Sequence, residues 1–157
     1  MKDSLAPGLT HELRFVVPAT KTVPRLYPES PQFAAMPEVF ATGFMVGLVE
    51  WCCIELIAPH LDEGELSLGV HVDLSHDAAT PPGLEVVVRA TLDAVEGRRL
   101  TFSAEAEDTE RICAGTHRRF VVDRARFDAG VARKAADAAL AGDAISPAPP
   151  SSRRYRP

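Results

Sequence analysis

The chain has 157 residues, 46% hydrophobic and 25% charged, a balance that fits one soluble globular domain with a sizeable core. Its net charge of −5 gives no electrostatic reason for nucleic acid to be a partner. Cys52, Cys53 and Cys113 lack CxxC spacing, which argues against a disulfide framework and against a zinc site; with no apolar signal segment at the N-terminus, the expected compartment is the cytoplasm.

Residues 1–9 read as a lead-in. From His11 to Val17 the alternation of Leu13, Phe15 and Val17 predicts a strand, which Pro18 ends. Residues 21–37 are proline-rich and polar, with Tyr27, Phe33 and Met36 as apolar points; an irregular segment of that length is expected to work as a lid. The stretch Pro37 to Pro59 predicts the long helix on which the chain is organised. Pro37 and Glu38 suit a helix start and Pro59 a stop. The stretch is apolar almost all round, as a buried helix is. It is long enough to span a bilayer, but Glu50 in its middle and the absence of a basic flank favour a core helix and no membrane partner.

Strands are predicted over 66–75, 84–95, 98–106 and 111–122, with turns at Thr80-Pro81-Pro82-Gly83 and Glu96-Gly97. Residues 125–141 are alanine-rich and helix-prone. From Gly142 the chain is rich in Pro, Ser and Arg, a disordered tail by composition, which leaves 1–141 as a single domain. Strand, loop, long apolar helix and four hairpin-linked strands predict an α+β hot-dog fold, an antiparallel sheet wrapped around one central helix. Its open edges predict a homodimer.

Glu50 stands among Leu48, Val49, Trp51 and Cys52. A carboxylate in such surroundings is a candidate acid, base or nucleophile; the plainer reading is a half-exposed glutamate on a polar stripe with Glu55. Thr42 lies about 80° around a straight helix from Glu50 and about 12 Å along its axis, so the two border one cleft without touching. His76 closes a predicted strand just before a turn, a place for a catalytic imidazole or for a satisfied surface one. His71 and His76 have odd spacing, against a metal pair, and His11, His60 and His117 show no ligand spacing with them. Gly69 sits mid-strand, where a backbone amide approaches a ligand or a bulge forms. Arg118 and Arg119 lie together on the last strand, a phosphate-holding pair or a solvated face. No GxSxG, GxxxxGK[ST] or GxGxxG motif is present.

From about His11 to about Phe127 the chain resembles the fluoroacetyl-CoA thioesterases, hot-dog enzymes that hydrolyse a small acyl-CoA. The resemblance rests on Lys21-Thr22-Val23, Leu26-Tyr27-Pro28-Glu29-Ser30-Pro31, the run Pro37 to Leu48, Glu50-Trp51, His76, Ala78 to Leu84, Val95 to Leu100 and Gly115-Thr116-His117. It implies a catalytic trio of Thr42, Glu50 and His76, a Gly69 amide facing the thioester carbonyl, Arg119 contacting coenzyme A and Phe33 as a lid aromatic. At Met36 the fluoroacetyl-specific member carries a second Phe, so this departure bears on selectivity rather than on hydrolysis. The function expected is hydrolysis of a short-chain acyl-CoA, fluoroacetyl-CoA first, with no cofactor or metal. The alternatives are a broader short-chain thioesterase, a hot-dog enoyl-CoA hydratase, and a non-catalytic acyl-CoA binder.

Overall fold

The structure, a computed structural model, describes residues 1–140; the tail expected over 142–157 lies outside the described residues. It divides into two compact units, residues 1–123 and the segment from Arg124 onward. In the second, Arg124–Leu140 forms a helix, α3, as the alanine-rich composition predicts.

The first unit is built on strand β1 (Thr10–Val16), a short helix α1 (Pro31–Ala34), the long helix α2 (Thr42–Ile57), and strands β2 (Glu65–Leu74), β3 (Glu85–Glu96), β4 (Arg99–Glu107) and β5 (Arg111–Asp123). The strands form one antiparallel five-stranded sheet in the order β1-β3-β4-β5-β2. Two hairpins are present as expected, β3–β4 and β4–β5. Gly97 takes φ 59° at the first position of the β3–β4 turn, where a side chain would be strained. The expected hairpin between β2 and β3 does not form. β2 pairs with β5, and β3 pairs with β1, so the Thr80-Pro81-Pro82-Gly83 connection carries the chain from one edge of the sheet towards the other.

Helix α2 begins at Thr42, five residues after the predicted start. Residues 39–41 are claimed by other partners: Val23 N–H donates to the Val39 carbonyl, Phe40 N–H to the Thr80 carbonyl, and Ala41 N–H to the Lys21 carbonyl. Ala41 accordingly caps the helix in an extended conformation. The helix ends in a 3₁₀ turn over Ala58–His60 that takes in Pro59. Met45, Leu48, Val49, Cys52, Cys53, Leu56 and Ile57 are buried, a stripe at three- and four-residue spacing that lies on the sheet. They meet Val86, Val88 and Leu92 of β3, Leu100 and Phe102 of β4 and Val121 of β5, and each such side chain removed from water contributes about 1.5–3 kcal/mol. In the single chain the sheet covers only one side of this apolar helix: Trp51 and Ile54 are 45% and 43% exposed.

One row of the core is not apolar. On β5 the inward positions after Cys113 include His117 and Arg119, 0% and 3% exposed. Their register partners on β4 are Phe102 and Leu100. This polar insertion into an apolar sheet lies beneath Glu50.

Candidate active site

The sequence-predicted residues fall into two groups. At the first turn of α2, Thr42 Oγ1 lies 2.7 Å from His76 Nδ1. His76 follows β2 in a segment held by Asp77 N–H donating to the Ile112 carbonyl and by Ser75 Oγ bonding to Asp77 and to the Ala114 carbonyl. If the Thr42 hydroxyl donates to Nδ1, Nε2 carries the ring proton. That nitrogen is buried and has no hydrogen-bond partner among the described residues. In the other tautomer Nδ1–H donates to Thr42 and Nε2 presents a lone pair; in either form a buried polar nitrogen left open is costly to keep, and its position is that of a group waiting for a water or a substrate atom.

The second group is centred on Glu50, one side of α2 against β2 and β5. Its side chain is 36% exposed, so it is half in the protein and half at an opening. Glu50 Oε1 lies 3.4 Å from Arg119 Nη1 and 3.4 Å from His117 Nε2. It also rests on Gly69: a Cβ built there would collide with Glu50 Oε1 and stand 3.2 Å from the His117 ring. This close approach is why glycine occupies the position, and β2 slips register between Gly69 and His71 beside it. Burial holds the Arg119 guanidinium below its ordinary value, and the Glu50 charge raises it in part. Burial, then the neighbouring Arg119, holds His117 below its ordinary value, so the imidazole is neutral near pH 7.

Thr42 and Glu50 make no recorded contact with each other, as their helical spacing predicts. The lid segment contains α1, capped by Ser30 Oγ accepting from Phe33 N–H, and the Tyr27 and Phe33 rings pack 5.4 Å apart. Met36 is 54% exposed. Arg119, expected from the family resemblance to contact coenzyme A, is buried in the single chain. Its guanidinium is spent on Ser67, His117 and Glu50, and the single chain gives it no open face towards a coenzyme. Arg118, one residue away, is the exposed member of that pair. A cavity of about 260 Å³ opens beside α2 among Phe15, Phe40, Phe44 and Trp51; it is lined by none of the trio. No group of three or more His, Cys, Asp or Glu is placed to hold a metal among the described residues.

Sequence reasoning passed over His117 and Ser67. The one available signal was alternation: His117 and Arg119 share a face of the strand, and Arg118 does not.

An antiparallel sheet carrying one long helix, with polar groups gathered along that helix, defines a hot-dog protein. The fold is shared with a hot-dog-like protein from Thermanaerovibrio acidaminovorans, at a TM-score of 0.70 and 24% identity over 82% of this chain and 91% of that one. A family model for the fluoroacetyl-CoA-specific thioesterase matches residues 25–125. The fluoroacetyl-CoA thioesterase of Streptantibioticus cattleyicolor is 54% identical over 137 residues, 85% of this chain and 97% of that protein. A solved fluoroacetyl-CoA thioesterase superposes at a TM-score of 0.82 with 53% identity, covering 84% of this chain and 98% of that one; variants of such an enzyme have been solved with acetyl-CoA and with fluoroacetate and CoA. The chain belongs to the fluoroacetyl-CoA-specific thioesterase family.

Proposed function

We propose that this protein hydrolyses fluoroacetyl-CoA, and other short acyl-CoA thioesters less well, to the free acid and CoA. The observation that carries the reading is the Glu50 carboxylate, fixed at one oxygen against Gly69 in a fold of this family. Thioester hydrolysis needs a nucleophile or base, a donor for the developing oxyanion and a proton for the leaving thiolate. Glu50 supplies the first, either by attacking the carbonyl to give a mixed anhydride or by deprotonating water. The Gly69 amide supplies the second, since a carbonyl drawn to it stands beside Glu50. His76 is held by Thr42 at Nδ1 and acts through Nε2: in the tautomer whose Nδ1–H donates to the Thr42 hydroxyl, Nε2 takes a proton from water or from the acidic α-carbon of a fluoroacetyl group and returns it to the leaving thiolate. Trapping the covalent intermediate separates the two routes: an acylated Glu50 marks the anhydride.

The working form we propose is a homodimer joined along the β2 edge, with the acyl-CoA site at the interface. β2 ends the sheet with Val70 and Val72 exposed at 56% and 43%; open apolar edges of this kind pair. Sedimentation showing a stable, fully active monomer would sink this part. The cytoplasm is the proposed compartment, in keeping with three buried free thiols.

Thiol release from a panel of acyl-CoAs, with fluoroacetyl-CoA and acetyl-CoA included, tests the activity. Release from fluoroacetyl-CoA is the expected result. Water addition to an enoyl-CoA without thiol release marks a hydratase, and binding without turnover marks a sensor.

A further inference from the structure

Arg119 is a cation almost without access to water, and its donors can be followed one by one. Nε donates to Ser67 Oγ at 2.9 Å, and Nη2 to the Ser67 carbonyl at 2.9 Å. Nη1 points at His117 Nε2, 3.1 Å away, and lies 3.4 Å from Glu50 Oε1. The other ring nitrogen of His117 lies 2.8 Å from the His71 carbonyl. A carbonyl only accepts, so Nδ1 carries the proton, and Nε2 must present its lone pair to the guanidinium. The approach of His117 Nε2 to Glu50 is therefore not an ion pair. A protonated ring would set an N–H against the Arg119 N–H. Phe102, 6.4 Å away and nearly parallel, stacks on the ring.

The chain of contacts runs in one direction: the β2 backbone fixes His117, His117 and Ser67 fix Arg119, and Arg119 meets the carboxylate. Among the described residues every recorded contact of that carboxylate is at Oε1. We propose that His117 and Arg119 are positioning residues for Glu50, pinning the carboxylate by Oε1 so that Oε2 is the oxygen presented to water or to the thioester. This rests on the thioesterase reading for its chemistry, but not for its geometry.

The other groups facing Glu50 leave the charge balance to Arg119. Burial pushes the Cys53 thiol up to about 12, so it is neutral, and His71 meets the site through its carbonyl. Removing the guanidinium therefore removes the cation nearest to the carboxylate.

The test compares kcat and KM of wild type, Arg119→Gln, Arg119→Lys and Ser67→Ala, with the Glu50 carboxyl resonance followed at pH 7 by ¹³C NMR in Glu-labelled protein and assigned with Glu50→Gln. Arg119→Gln is expected to lower kcat about a hundredfold, leave KM within about threefold and displace the carboxyl resonance. Lysine keeps the charge without the fork, so Arg119→Lys should restore only part of kcat. Ser67→Ala, the mildest change, should cost kcat a few-fold with KM unmoved, which keeps the proposal testable if Arg119→Gln does not fold. A raised KM with unchanged kcat would overturn the proposal in favour of coenzyme contact. Lost kcat in Arg119→Gln with the resonance unmoved would overturn it in favour of a merely structural pair. The NMR measurement needs no turnover, so a wild-type protein that hydrolyses no acyl-CoA would end the thioesterase reading and leave the placement of Glu50 to be judged by its resonance.

Discussion

The two polar groups along α2 are built on opposite plans. The Thr42–His76 pair is held by one side-chain bond and ends in an open Nε2. Glu50 is backed by a buried guanidinium, a buried imidazole and a glycine that leaves room for its oxygen. The first arrangement suits a group that must gain and lose protons, since its open nitrogen is satisfied only when a ligand or water arrives. The second suits a charge that must stay in place, since low-dielectric surroundings strengthen a fixed cation–carboxylate contact and penalise its loss. Helix α2 thus carries an open-nitrogen end and a fixed-charge middle.

Breaking the fixed-charge middle should have the largest effect. Glu50→Gln keeps the volume but removes charge and basicity, and is expected to lower kcat by about a thousandfold with the fold intact by circular dichroism. Near wild-type turnover would make Glu50 structural. At the other end, His76→Ala should lose about a hundredfold, and Thr42→Ser should retain more activity than Thr42→Ala because the hydroxyl to Nδ1 survives.

Gly69→Ala attacks the same middle without touching a polar atom. The new methyl would occupy the place of Glu50 Oε1, so the carboxylate must swing away. A displacement of about 1 Å in a reacting group costs about a hundredfold. The expected result is that loss in kcat with unchanged circular dichroism; turnover within a few-fold of wild type would show that the Gly69 contact does not position Glu50.

A smaller effect separates the buried imidazole from the open one. His117 is held below the ordinary imidazole value by burial and by Arg119. Between that ordinary value and the lowered one, the unfolded chain binds a proton that the folded chain refuses. The stability it contributes is therefore complete above the ordinary value and falls as pH drops towards the lowered one. Tm should decline from pH 7 to pH 5, and His117→Gln should flatten that decline while lowering Tm at pH 7. An equally steep decline in the variant would assign the dependence to other groups.

Much of this comparison could be read from the sequence, and the part that could not has a physical reason. Glu50 was visible as a charge in an apolar helix, and Gly69 as a glycine inside a strand. The helix start was misplaced by five residues because Val39, Phe40 and Ala41 are held by Val23, Thr80 and Lys21, partners that local propensity does not encode. The turn at Thr80-Pro81-Pro82-Gly83 was recognisable, but a turn signal does not say which strands pair, and β2 went to β5. Arg118 and Arg119 look alike in sequence. Strand alternation puts them on opposite faces, but only the fold shows that the inward one lies under Glu50.

The smallest expected effect lies in the lid, outside both groups. Fluoroacetyl and acetyl differ by one fluorine, and a pocket separates such close analogues by only about 1–3 kcal/mol through binding. Strong preference must therefore come from chemistry, since fluorine makes the carbonyl more electrophilic and the α-protons more acidic, and Nε2 of His76, unprotonated in the tautomer whose Nδ1–H donates to Thr42, is suited to act on them. We propose that the segment carrying Phe33 and Met36 adds to this as a lid, by controlling water and contact with the C–F bond. Here Phe33 is braced by Tyr27, whereas Met36 is 54% exposed in the single chain and, as a thioether, adapts to many shapes and specifies none tightly. Met36→Phe is expected to raise the ratio of kcat/KM for fluoroacetyl-CoA over acetyl-CoA by no more than about tenfold, roughly 1.4 kcal/mol, mainly by lowering the acetyl-CoA value. An unchanged ratio would place selectivity with the groups along α2, and a far larger change would mean that the lid, not the proton chemistry, sets it.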